Sequence, residues 1–154
     1  MKKNTGITPE PISPSYWDKK HKIRGLHESV RVYRNTESRK YKEDVEQINF
    51  ISWLRFNHPD IADRCFHVPN ETQSAIQYQA KLTKMGRNKG IPDLMFYGLP
   101  IAIEMKKTIN ASVKPEQKKH LNRMAEDGLF VCVCFGDDAA KLAIKDYIEW
   151  SDDV

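Results

Sequence analysis

The sequence predicts an α/β fold, with a central mixed sheet flanked by helices, on three observations. Residues 129–135 hold the continuous apolar run FVCVCF between Gly128 and Gly136, which suits a strand buried on both faces. Residues 94–97 and 101–105 are apolar and bracket Gly98-Leu99-Pro100, so they read as two antiparallel strands joined by a tight turn. Segments of helical periodicity lie before, between and after these runs.

The elements follow in chain order. Residues 1–15 contain Pro9, Pro11 and Pro14 and predict an extended or disordered lead. Over residues 16–40, Tyr16, Trp17, Ile23, Leu26, Val30, Val32 and Tyr33 are apolar anchors among Lys and Arg; they could dock on the core, clamp DNA, or exchange with a second subunit. From residue 41, Val45, Ile48, Ile51, Ser52 and Leu54 recur at helical spacing, and the helix should end before Asn57-His58-Pro59. Residues 65–68 form a short apolar strand stopped by Pro69-Asn70. Residues 72–85 predict a helix with Ala75, Ile76, Gln79, Ala80 and Leu82 inward and Gly86 as its stop. Residues 115–127 predict another, with proline in its first turn, Leu121, Met124 and Ala125 inward, and Gly128 as its stop. Asp137 caps a last helix through about residue 150.

A chain of 154 residues with 40% hydrophobic content suits one domain with a modest core. Residues 1–40 carry ten basic and four acidic side chains, a net +6, whereas residues 41–154 carry 15 and 17, a net −2. The positive charge therefore belongs to an N-terminal arm, which would attract a polyanion such as nucleic acid or serve only to solubilise. Cys65, Cys132 and Cys134 lie in apolar runs without zinc-finger spacing and read as reduced core residues. No segment approaches the roughly 20 apolar residues of a membrane span, and the start lacks an apolar signal stretch, so an intracellular, cytoplasmic protein is expected.

Chemistry concentrates in GIPDLMFYGLPIAIEMKK. Alternate side chains of a strand share a face, so Glu104 and Lys106 point the same way, and the turn would bring Asp93 alongside Glu104. Two buried carboxylates side by side repel one another and suffer desolvation, a difficulty that a bound Mg2+ or Mn2+ removes. The Met105 backbone carbonyl could add another oxygen ligand. A lysine beside such an ion can orient the attacking water or offset developing charge, which together describe phosphodiester hydrolysis. The competing explanation is an ordinary Glu104–Lys106 salt bridge. Lys81, Lys84, Arg87 and Lys89 lead into this segment and Lys107 follows it, as phosphate contacts or a solvated face. His67 and Asn70 could line the cleft or be structural.

These residues, with SVKPEQKKHLNRMAEDGLFVCVCFGDDAAKLAIKDYI after them, resemble the virus-type replication-repair nuclease (VRR-NUC) family of the PD-(D/E)xK nuclease superfamily, from about Lys42 to Ile148. The superfamily motif falls on Pro92-Asp93 and Glu104-Met105-Lys106. A family acidic residue followed by glutamine falls on Glu46-Gln47, and a serine then glutamine fit Ser112 and Gln117. The resemblance implies a restriction-endonuclease-like core over residues 41–154. It also implies metal ligation by Glu46, Asp93, Glu104 and the Met105 carbonyl, with Lys106 and Gln117 completing the catalytic set. Its short phage-borne members imply a Mg2+- or Mn2+-dependent DNA endonuclease, often a homodimer, acting on branched DNA such as four-way junctions in phage recombination, repair or processing. Two other functions fit the same residues: a non-catalytic DNA-binding accessory subunit, and a sequence-specific restriction-type endonuclease, for which little length remains to read bases.

Overall fold

The computed structural model describes residues 22–34, 43–69, 75–106 and 111–152. Its strands are β1 (Arg31–Arg34), β2 (Cys65–His67), β3 (Leu94–Phe96), β4 (Ile101–Lys106) and β5 (Phe130–Phe135). Its helices are α1 (Glu43–Asn57), α2 (Pro59–Arg64), α3 (Ile76–Lys84), α4 (Pro115–Glu126) and α5 (Asp137–Asp152). One mixed sheet runs in the order β1-β5-β4-β3-β2, with β1, β5 and β4 parallel and β4, β3 and β2 antiparallel.

β5 sits between two parallel neighbours, which is why its sequence is apolar at every position: all six residues are buried. Phe130, Cys132 and Cys134 join the core beneath α1 and α5, whereas Val131, Val133 and Phe135 join the core beneath α4. β4 follows the same alternation. Ile101, Ile103 and Met105 enter the first core, so Ala102, Glu104 and Lys106 face the α4 side.

α1 docks through Glu46, Phe50 and Leu54, all fully buried and four residues apart. This corrects the predicted inward stripe, because Ile48 is 62% exposed and Ser52 also faces solvent. Pro59 does end α1, but it then occupies the first turn of the short α2, where its missing N–H costs nothing. α3 buries no side chain. Of its expected inward residues, Gln79 and Leu82 are half-buried and Ile76 is 87% exposed.

Residues 31–34 fell within the stretch read as an arm, and they form the edge strand of the sheet. Val32 enters the α4-side core, and Tyr33 enters the other and donates to Asp146 at 2.8 Å. Of the three roles open to this stretch, docking on the core is the one that residues 22–34 take. Asn122 of α4 holds the segment before β1 by accepting from the His27 amide (2.7 Å) and donating to the Gly25 carbonyl (2.9 Å).

Candidate active site

The hairpin register builds the site. Leu94 pairs with Ile103 and Met95 with Ala102, so the next residues outward, Asp93 and Glu104, stand opposite one another where β3 begins. The Asp93 amide donates to Glu104 Oε1 at 3.3 Å, and Asp93 Oδ2 accepts from the Met105 amide at 2.9 Å. Each carboxylate thus accepts from a backbone amide of the facing strand, Glu104 from Asp93 and Asp93 from Met105. Gly98, at φ +74°, makes the turn that allows this register.

Lys106 lies one pleat beyond Glu104 on the same face, with its Nζ 3.2 Å from Glu104 Oε2. Gln117 completes the group from the first turn of α4. Its Oε1 accepts from Lys106 Nζ (3.1 Å) and from the Lys114 amide (2.9 Å), and its Nε2 donates to Glu104 Oε2 (3.0 Å). Two donors on one side and a carboxylate on the other leave a single orientation for the side-chain amide. The Lys114 bond is half of a capping box, the only half available because lysine has no acceptor.

Glu104 and Lys106 are both buried. Desolvation pushes the Glu104 carboxyl up to about 8, and the charge of Asp93 pushes the same way, with Lys106 opposing both. A divalent cation would relieve the two upward causes at once. The donors suit a hard ion: two carboxylates and a backbone carbonyl. That carbonyl belongs to Met105. Carbonyls alternate sides along a strand, and Lys106 gives its oxygen to the Gly136 amide on the β5 side (3.0 Å), so the Met105 oxygen opens toward Asp93.

Glu46 is held elsewhere on this sheet end. It is 1% exposed, and its Oε2 accepts from the Asp137 amide at 2.8 Å, placing a carboxylate at the start of α5 where the helix dipole favours it. Among the described residues no three His, Cys, Asp or Glu side chains gather into one metal-binding cluster. Glu46 is therefore a buried carboxylate and not one solvated on a helix surface. Asp137, read only as a cap, is buried, and one of its roles is this amide; the Gly136-Asp137 junction between strand and helix was the available signal.

Gln47 and His67 hydrogen-bond at 3.0 Å across α1 and β2, both near the surface, and the Val68 amide donates to the Asp93 carbonyl. Lys81, Lys84 and Lys89 are exposed, as is Ser112, whereas Arg87 is half-buried and bonds Gln79 and Thr83. Asn70 and Lys107 lie outside the described residues. Cys132 and Cys134 are buried free thiols, and among the described residues no helix is long and apolar enough to cross a membrane.

No family model and no curated protein matches the chain. A solved structure described as a VRR_NUC domain protein is similar to it, with a TM-score of 0.62 and 26% sequence identity over 72% of this chain and 91% of that one. That likeness, together with the mixed sheet flanked by helices on which Asp93, Glu104 and Lys106 are mounted, supports membership of the VRR-NUC family of nuclease domains.

Proposed function

We propose that this protein is a metal-dependent DNA endonuclease. The supporting observation is the juxtaposition of Asp93 and Glu104 across the β3–β4 register, with Lys106 and Gln117 bonded to the same carboxylate. Asp93, Glu104 and the Met105 carbonyl would hold Mg2+ or Mn2+, and Glu46, buried at the same end of the sheet, is the candidate third carboxylate. Such an ion supplies charge neutralisation on the scissile phosphate and acidifies water.

The chain's own residues do the rest. Lys106 presents its ammonium beside the paired carboxylates, where it orients the attacking water and offsets charge that develops on the phosphate. Gln117 restrains that ammonium, so little is lost in fixing it at the moment of reaction. Lys81, Lys84, Lys89 and Lys107 contact phosphates flanking the cut. The preferred substrate is branched DNA, four-way junctions included, the substrate class that the resemblance to short phage-borne VRR-NUC members implies. The role is in phage recombination, repair or processing. The active form is a homodimer; the half-exposed Phe66 on edge strand β2 supports a covered surface there.

Cleavage of linear, flapped and four-way DNA in Mg2+ tests the reading. Wild type should cut, and Asp93→Ala and Lys106→Ala should each lower the rate by at least about 100-fold, the scale of losing one group that stabilises transition-state charge. Variants as active as wild type would defeat the assignment, and binding without cleavage on every DNA form would favour an accessory module. A defined cut sequence on plain duplex would favour a restriction-type enzyme, and a monomeric mass by light scattering would remove the dimer alone.

A further inference from the structure

The loop entering β3 meets the first turn of α4, and a glycine stands there. Gly90 is buried with φ +89°, and a Cβ on it would lie 2.5 Å from both the carbonyl carbon and oxygen of Glu116 and 2.9 Å from the Gln117 nitrogen. All three are backbone atoms of the first turn of α4, which cannot swing aside as a side chain would. Gly128 at φ +91° has nothing within 4 Å of the same imaginary atom, so left-handed backbone alone does not account for Gly90.

We propose that Gly90 is a positioning residue: its bare Cα seats the Glu116–Gln117 peptide unit, and thereby sets the reach of Gln117 to Glu104 and Lys106. Ordinary contact begins at 3.4 Å, so a methyl group would push the start of α4 back by roughly 1 Å. The two bonds that cross from Gln117 to β4 are 3.0 and 3.1 Å long, and a retreat of that size takes both past hydrogen-bonding distance. The far half of α4 is anchored separately, since Leu121 and Ala125 pack in the core with Val131 and Val133. The displacement therefore falls on the turn that carries Gln117. The 2.9 Å bond from the Lys114 amide lies inside that turn and moves with it.

The kinetic part of this proposal rests on the nuclease reading, and the spectroscopic part does not. In the metal-free full-length protein, Gly90→Ala should move the side-chain amide signal of Gln117 in a nitrogen-15 NMR spectrum toward the water-exposed position, while Gly128→Ala, with the same backbone strain and no collision, leaves it in place. In Mg2+, Gly90→Ala should lower kcat by about 10–100-fold with KM for DNA changed less than about 3-fold. In a Gln117→Ala background the same substitution should cost less than about 3-fold more, because the group it acts through is gone. An unmoved Gln117 signal, a kcat loss no larger than that of Gly128→Ala, or a full additional loss in the Gln117→Ala background would each overturn the proposal. Should Gly90→Ala not fold, wild type decides: a nuclear Overhauser contact between the Gly90 α-protons and the Gln117 amide proton is expected, and its absence would overturn the seating. A wild-type chain that cuts no DNA would sink the nuclease reading while leaving the NMR arm intact.

Discussion

At the scale of single residues, Glu104 carries the tension of the site. It is a buried carboxyl whose proton is held up to about 8 against an ordinary 4.5, so the folded chain favours its neutral form. The stability that follows is fully present below the unfolded value and is lost as pH rises through the folded one. Metal-free protein should therefore lose on the order of a few kcal/mol between about pH 5 and pH 8. Melting temperatures across that window, with Glu104→Gln as the comparison, test this: the variant should show a flatter profile. Adding Mg2+ at pH 8 should raise the melting temperature of wild type and not that of Glu104→Gln, by mass action on the folded state. Equal slopes in the two proteins would show that some other group dominates. The D-x10-E-x-K spacing made Asp93, Glu104 and Lys106 legible, because strand alternation and a short turn dictate which side chains meet. The partnership of Gln117 was not legible beyond a resemblance, since nothing local says how far α4 stands from β4.

At the scale of elements, α1 shows where periodicity misleads. Helical spacing is evident in Val45, Ile48, Ile51, Ser52 and Leu54, and Leu54 is indeed buried, but Ile48 and Ser52 face solvent and the buried stripe runs through Glu46, Phe50 and Leu54. A charged residue on the inward face breaks the rule that apolar positions mark the core, and it is there because the Asp137 amide needs an acceptor. Leu54→Ala should cost about 2–5 kcal/mol in denaturant unfolding, as for other fully buried leucines, and Ile48→Ser less than about 0.5. Comparable losses at the two positions would contradict the packing described for α1. β1 escaped prediction for a related reason. Arg31 and Arg34 flank Val32 and Tyr33, and four residues with charged ends read as arm until a partner strand is known. The guanidinium groups of the two arginines lie over the rings of Phe130 and Phe135 (4.5 and 4.7 Å to the ring centres).

At the scale of the whole molecule, the N-terminal region divides in two. Residues 1–21 carry four basic and two acidic side chains, a net +2, and lie outside the described residues, whereas residues 22–34 are built into the sheet. Deleting residues 1–21 should leave the melting temperature within a few degrees and flatten the salt dependence of DNA binding, since fewer counterions are released. Deleting residues 1–34 should instead unfold or strongly destabilise the protein, because it exposes one side of β5 and removes Tyr33 from the core. A 1–34 deletion that melts like wild type would show the edge strand to be dispensable. Unchanged salt dependence after the shorter deletion would assign the basic lead some other task.

By itself the sequence determined the class of fold, the β3–β4 hairpin, the doubly buried β5, the α4 and α5 boundaries to within a few residues, and the motif triplet. Each of these depends on neighbours along the chain: apolar runs, turn glycines, a proline at a helix start, and the two-residue repeat of a strand. Tertiary structure alone decided that β1 completes the sheet, that Glu46 faces inward to the start of α5, and that Gln117 joins Glu104 and Lys106 across a contact seated on Gly90. Those are meetings between segments tens of residues apart, and they depend on backbone separations that no local pattern of residue types encodes.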